Sequence, residues 1–596
     1  MTTSAPSLPQ AAAGRQAGWF GHPRALAWLF GTEMWERMGF YGMRALLTLY
    51  LSKHFVFGDR AATGLYGGFT ALVFLTPLVG GWIADQYLGS KRSVRFGALL
   101  MVAGYAALAV GGAPAQPVLR YDGATHVVLL AHAHDGPSTA AGESRSVLDH
   151  GQRLRVAGAA DGSLRLIAAD GHVARQLAPG QFGEDSRRDP AMVALMLVAL
   201  ATIGVGNGFF KPNISTMVGA LYGSGDRRRD AGFTIFYMGI NLGSILGQVL
   251  CPLLADAFGW WAGFGSAAVG MAIALGFISF HHGRLDGLGE PPPRAGGDRA
   301  GAIYTGALIA IGLFYLLFVD LMQAPSPAAG SGLLGYLAAL PLMGKLLFAT
   351  FIVAVPAILG WAWRHGSRQE FEMMLAAMIL VTFNVVFWTL FEQAGSSLTL
   401  FADRNTDRSV FGLFTLSAPQ TQNFNSVAIV LLAPLMSAVW GWLGRRGWEP
   451  PIAGKFALGL IGAGAGFLIL VVGGRFAGAD FRVGLGWLLA LYVVQSLAEL
   501  CISPVGLSMI TKLSIARVVG LMMGVWFLSM AVAEYVAGLI AQLGAVATVG
   551  GEITDPALSL ATYLRVFSAI GWIGVGLGGL LALVAAALRR LMHGVR

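Results

Sequence analysis

The sequence predicts an all-α polytopic membrane protein, and three observations predict it. More than half of the 596 residues are hydrophobic (55%) and only 12% are charged, where a soluble domain carries about a quarter. The apolar residues fall in long runs, each near the ~20 residues that a bilayer-spanning helix needs, and the mean hydropathy is +0.65. Glycine reaches 83 residues, which suits close packing of membrane helices. Together these exclude a disordered chain, a soluble enzyme as the main body, and a nucleic-acid-binding domain, despite a formal net charge of +9. The only two cysteines, Cys251 and Cys501, lie in apolar runs. They exclude a disulfide scaffold and a cysteine-rich metal centre, and read as inert buried thiols.

The first roughly 24 residues are polar, small and weakly basic, and the apolar run after them is longer than a signal-peptide core, so no cleavable signal is expected. Apolar runs place helices near 25–53, 60–87, 93–113, 190–222, 231–258, 260–281, 301–321, 336–363, 372–401, 419–443, 452–472, 483–511, 517–545 and 560–588, about 14 in all. With the N-terminus inside, one set of loops carries Lys91, Arg92, Arg95, Arg227, Arg228, Arg229, Arg284, Arg294, Arg299, Arg364, Arg368, Arg445, Arg446, Lys512, Arg517, Arg589 and Arg590. The short loops of the other set carry only Lys53, Arg60, Arg404, Arg408, Arg475 and Arg482. That asymmetry puts both termini in the cytoplasm of a bacterial-type inner membrane.

The expected organisation is a six-helix bundle from 1–113 and 190–282, a cytoplasmic linker at 283–300 around Pro291-Pro292-Pro293, two peripheral helices within 301–364, and a second six-helix bundle at 365–596. Residues 114–189 interrupt the first bundle on the outer face. Short alternating pieces punctuated by Gly, Asp and Pro (118–121, 126–130, 153–156, 163–167) predict a small β-rich insert. Its histidines, His126, His132, His134, His150 and His172, match no metal-ligand spacing and read as a solvated surface.

Ionisable residues inside spanning helices are costly and mark a pathway. The first helix carries Glu33, Glu36, Arg37, Tyr41 and Arg44; positions 33, 37, 41 and 44 step by three or four and share one face. Lys211 lies in the fourth helix next to Pro212, Glu392 in the ninth, Glu499 before Ser503-Pro504 in the twelfth, and Glu534 in the thirteenth. A proline beside a buried charge frees a backbone carbonyl, as a binding or gating helix needs. No metal triad, nucleophile elbow or separate acid pair points to an enzyme.

These residues also carry a resemblance. Glu33-Met34-Trp35-Glu36-Arg37-Met38-Gly39-Phe40-Tyr41 resembles the E-x-x-E-R-F-x-Y-Y motif of the proton-dependent oligopeptide transporters, a branch of the major facilitator superfamily. Gly80 to Gly89, with Asp85 and the following Lys91-Arg92, is similar to the family's loop between helices two and three. Phe233 to Ser244 is similar to its signature on helix five, and Gly208 to Asn213, Phe391 to Gln393 and Glu499 to Pro504 fit further family positions. Met38, Phe40, Phe74 and Ser426 depart from it, two of them removing tyrosine hydroxyls and Ser426 standing where proline is common.

The resemblance implies a proton-coupled symporter of di- and tripeptides with no cofactor beyond the proton gradient, acting as a monomer in the bilayer. It implies that Arg37, Tyr41, Arg44 and Lys211 hold the peptide carboxylate, that Asn241, Asn425 and Glu499 hold its ammonium, and that Tyr237, Trp388, Ser503 and Trp526 line the site. Proton coupling is expected at Glu33, Glu36, Arg37, Lys211 and Glu392, with Glu392 pairing across the halves with Arg44 or Lys211 when the outer gate closes. Asp85 is expected to cap the second helix and pair with the loop's basic residues. The alternatives are the same fold carrying nitrate, amino acids or peptidomimetics, and a receptor or adhesion protein working through its outer insert.

Overall fold

The computed structural model describes residues 17–130, 145–159, 163–178, 180–223, 226–281, 283–292, 298–324, 332–546, 548–549, 552–553 and 555–595. His132, His134 and Pro293 lie outside them. Six helices, α1 (Arg24–Leu49), α2 (Asp59–Ile83), α3 (Ser90–Ala109), α4 (Pro190–Ala220), α5 (Arg229–Phe258) and α6 (Trp260–Ser279), pack as one bundle, with α1 against α5 and α6, and α3 against α4 and α6. Six more, α9 (Arg368–Phe391), α10 (Asn423–Arg445), α11 (Ile452–Gly473), α12 (Leu485–Leu513), α13 (Val519–Leu543) and α14 (Pro556–Leu591), form the second, with α11 against α12 and α14. Between them in sequence come α7 (Ala300–Gln323) and α8 (Leu342–His365). They flank the bundles, α7 on α2 and α4, α8 on α13 and α9, and expose most of their apolar surface.

Thirteen of these helices are long and apolar enough to cross a membrane. The fourteenth, α1, is 26 residues long and falls short in apolarity because of the charges it buries. The protein is therefore multi-pass, and α1 begins on the face where α14 ends. The expected eighth helix at 336–363 is corrected: it is broken into a short turn at Gly332–Ala338 and α8. Pro341 starts the second piece, and the freed Leu342 N–H donates to the Asp320 carboxylate of α7 at 2.7 Å.

The insert is a seven-stranded antiparallel sheet: β1 (Gln116–Tyr121), β2 (Ala124–Leu130), β3 (Arg145–Asp149), β4 (Gln152–Gly158), β5 (Leu164–Ile167), β6 (Val173–Leu177) and β7 (Phe182–Arg187). Its order is β6-β5-β4-β3-β2-β1-β7. The last strand returns to pair with the first, which brings the two ends of the insert together between α3 and α4. Leu119, Tyr121, Val147, Leu154, Leu164 and Leu166 form its core, which Val549 of the α13–α14 loop completes. Arg188 ties it to the α1–α2 loop, donating to the carbonyls of Phe55 (2.8 Å) and Val56 (2.7 Å). His126 stacks on Tyr121, and His172 pairs with Asp170.

The two bundles touch along α2–α13 and α5–α10. At the first contact Gly67 and Gly538 meet backbone to backbone: a Cβ on Gly67 would lie 2.7 Å from Gly538 Cα. On the opposite face the linker clamps the α2–α3 turn. Lys91 N–H donates to the Gly289 carbonyl at 2.9 Å, and the Lys91 ammonium pairs with Glu290.

Two outcomes are expected. Gly538→Val forces the helices apart, at about 1–3 kcal/mol for an overpacked contact, read as a lower melting temperature of the purified protein. The Lys91 hydrogen bond holds the Glu290 carboxyl below the usual glutamate value, so the clamp contributes in full above the ordinary carboxylate range and is lost as pH falls through the lowered value. Limited proteolysis around residues 286–292 is expected to accelerate at acid pH in the wild type and to be fast at every pH in Glu290→Gln.

Candidate transport site between the bundles

Helix α1 presents its charges to the seam between the bundles. Arg37 Nε donates to Glu33 Oε1 at 2.8 Å, and Glu36 Oε2 lies 2.7 Å from the same nitrogen. One N–H cannot point at both carboxylates, and neither Glu36 oxygen has a hydrogen-bond donor. All three side chains are buried. Seven residues on, about two helical turns, Arg44 Nε donates to Tyr66 Oη at 2.6 Å, while its terminal nitrogen pairs with Glu392. Glu392 sits in the 3₁₀ turn where α9 breaks, so it enters from the other bundle. Lys211 rests on an aromatic face: its Nζ is 4.2 Å from the centre of Phe74, with Glu33, Glu36, Arg37 and Glu534 as charged neighbours. Arg37 likewise stands 5.8 Å over Phe40. Both departures from tyrosine thus keep the ring face that a cation can use and drop only the hydroxyl.

The second bundle supplies an acidic pole. Asn425 Nδ2 donates to Ser496 Oγ at 2.9 Å and to Glu499 Oε2 at 3.3 Å, orienting the carboxylate. Tyr41 lies within electrostatic range of Arg37, Arg44, Glu392 and Glu499, and so sits between the poles. Tyr237 is half exposed and faces Glu499 and Tyr41. Asn241 donates one amide N–H to the Tyr237 carbonyl at 3.0 Å and keeps its second N–H and its carbonyl oxygen beside the Tyr237 side chain. Trp388 packs edge-on to Phe387 and Phe391, and neither its indole N–H nor the Ser503 hydroxyl has a partner. Trp526 lies over Gly506, where a Cβ would strike the ring. The structure brings Glu33, Glu36, Arg37, Tyr41, Arg44, Lys211, Glu392 and Glu499 within contact or electrostatic range of one another, and leaves Asp85 apart from them. Asp85 is exposed on the linker face. Its expected pairing with the loop's basic residues is replaced, since Lys91 pairs with Glu290 and Arg92 with Asp298. The linker competes for those cations because it folds directly onto them.

Sequence reasoning missed the closure on the insert face. Asp59, at the start of α2, accepts two hydrogen bonds of 2.6 Å from Arg404, beyond the end of α9, and both side chains are 1% exposed. Lys53 Nζ donates to Asp403 at 2.9 Å beside it. Gln422 reaches the Ala45 carbonyl, and Thr48 the Gly395 carbonyl. Ser426 meets Ser244 of α5 at 2.8 Å and Gln248 at 3.3 Å. A proline at 426 could make neither bond. The available signal was that Lys53 and Arg404 broke the charge asymmetry of the basic-poor set of loops, each with an acidic residue within reach across the bundles.

Two six-helix bundles closing over a cationic and an anionic pole define a membrane carrier of the major facilitator type. The chain matches the POT family model (PTR2) over residues 91–285 and 346–559, and it belongs to that family. It is 30% identical over 579 residues to dipeptide and tripeptide permease A of Edwardsiella piscicida, covering 96% of each chain. It is 29% identical over 575 residues to dipeptide and tripeptide permease A of Salmonella typhimurium, covering 96% of this chain and 94% of the relative. Among solved structures it resembles a mutant peptide transporter POT in complex with alafosfalin, with a TM-score of 0.70, 30% identity and 97% of each chain covered.

Removing one member of a buried ion pair strands the other, at about 3–5 kcal/mol. Asp59→Asn is therefore expected to lower the melting temperature sharply. Asp59→Leu combined with Arg404→Met should recover most of that loss, as measured on the detergent-purified protein.

Proposed function

We propose that this protein imports di- and tripeptides together with protons by alternating access of its two bundles. The observation that carries the reading is the polarity of the seam. Arg37, Arg44 and Lys211 stand on the first bundle, while Glu499, held by Asn425, stands on the second. A short peptide is a zwitterion, and such poles take its carboxylate and its ammonium. Arginine adds a planar fork that orients a carboxylate as well as attracting it. The apolar and aromatic walls, Trp388, Trp526 and Phe74, receive side chains without selecting one. The permease names of the relatives support peptides as the cargo.

The proton gradient supplies the energy, with no cofactor. Protonation at Glu33 and Glu36 frees Arg37 and Lys211. Opening of Arg44–Glu392 unlocks the insert face, so proton and peptide bias one rocking equilibrium. Protons and peptide are bound rather than transformed, which makes the protein a carrier and not an enzyme. The basic loops on the linker side support a bacterial inner membrane with both termini cytoplasmic and the insert outside. One chain holds both poles, which supports the monomer as the working unit.

The test is uptake of a dialanine-type peptide into proteoliposomes under an imposed proton gradient. Glu36→Gln or Glu33→Gln is expected to abolish uphill uptake and spare counterflow exchange, and Glu392→Ala to damage driven uptake. Uphill uptake that survives both single glutamine changes removes the assigned coupling. Competition by peptides with a blocked amine separates peptides from other small cargo, because the acidic pole requires a free ammonium.

A further inference from the structure

Resting on the peptide and proton reading above, we infer that Glu534 of α13 is a second proton-binding carboxyl, the alternative partner of Arg44. Arg37 is shared by two carboxylates, one hydrogen-bonded (Glu33) and one bare (Glu36). Arg44 repeats the arrangement. Glu392 takes its terminal nitrogen, and Glu534 Oε1 stands 4.0 Å from that same nitrogen. Glu534 is 1% exposed and neither of its oxygens is hydrogen-bonded; the Thr70 hydroxyl beside it donates instead to the Tyr66 carbonyl at 3.0 Å. Among the described residues, the charged and titratable groups facing it are Arg44 of α1, Tyr66 of α2, Lys211 of α4 and Glu392 of the α9 turn. Tyr66 Oη accepts from Arg44 Nε and makes no hydrogen bond to Glu534.

Two ionised carboxylates on one guanidinium leave a net negative charge buried with no donor for one of them, which is costly. A proton on Glu534 removes that charge. When the Arg44–Glu392 pair parts, Arg44 is free to swing the remaining distance to Glu534, and the carboxyl gives up its proton to the water that then enters the cavity. The proton comes from solution on one side and returns to solution on the other; no other bond changes. Glu534 thereby couples the closure of the insert face to a proton distinct from the one at Glu33 and Glu36.

The experiment is Glu534→Gln in proteoliposomes, reading counterflow exchange, the proton-to-peptide ratio from the reversal potential, and the pH profile of driven uptake. Glutamine mimics the protonated acid in shape and charge. Exchange is therefore expected to persist, the ratio to fall by one proton, and the pH profile to lose one titration step. An unchanged ratio and profile with exchange intact overturns the inference, and so does loss of exchange, because a neutral side chain must be tolerated there. Absence of any driven peptide uptake by the wild type instead removes the proposed function. The carboxyl of Glu534 is then read directly, as an infrared carboxylic-acid band present in the wild type and missing in Glu534→Gln; no difference between the two spectra refutes the assignment.

Discussion

A guanidinium inside a bilayer has to be answered by a carboxylate, and α1 buries two of them. Everything central to the molecule is arranged around that constraint. Arg37 is satisfied within its own helix by Glu33 and Glu36, so its balance is local to the first bundle. Arg44 has Tyr66 of its own bundle on its Nε, but among the described residues its carboxylates come from the second bundle, Glu392 closely and Glu534 at the limit of an ion pair. The same helix therefore carries one charge that is balanced wherever the bundles stand and one whose nearest carboxylate lies across the seam. The difference is a matter of position along the helix: two turns move the side chain from the wall of the bundle to its seam.

Buried ion pairs are weak sources of net stability, since desolvation cancels much of their attraction. Their value here is in registration. Asp59–Arg404, Lys53–Asp403 and Arg44–Glu392 each join one bundle to the other, and each is satisfied in a single alignment. Around them lie neutral contacts that exchange easily, such as Ser244 with Ser426 and Gln422 with the Ala45 carbonyl. A seam of this kind is specific when shut and cheap to open, because water can replace every bond in it once it enters.

The stripe on α1 was legible in the sequence because helical spacing and the rarity of charge in a membrane run speak to the same residues. Glu392 and Glu499 were legible for the second reason alone. Asp59 and Arg404 were not: they stand 345 positions apart and at the ends of apolar runs, where a charge reads as part of a loop. The insert shows the same division. Its strands with clear alternation, such as Val118 to Tyr121 and Arg153 to Val156, were readable. β3, β6 and β7 are defined by their neighbours' hydrogen bonds, with little pattern of their own. The Asp85 pairing failed for a related reason, since local sequence could not show that the linker folds back onto Lys91 and Arg92.

The place where α2 crosses α13 has a mechanical meaning. Most helix pairs mesh like gears, knobs of one set into hollows of the other, and cannot turn without first disengaging. Gly67 and Gly538 present no teeth. At that point two bare backbones in contact form a bearing, with no side chain of either glycine to be lifted out of a socket when one half rolls against the other. A crossing that brings the halves into backbone contact is thus also one that offers little resistance to their rotation.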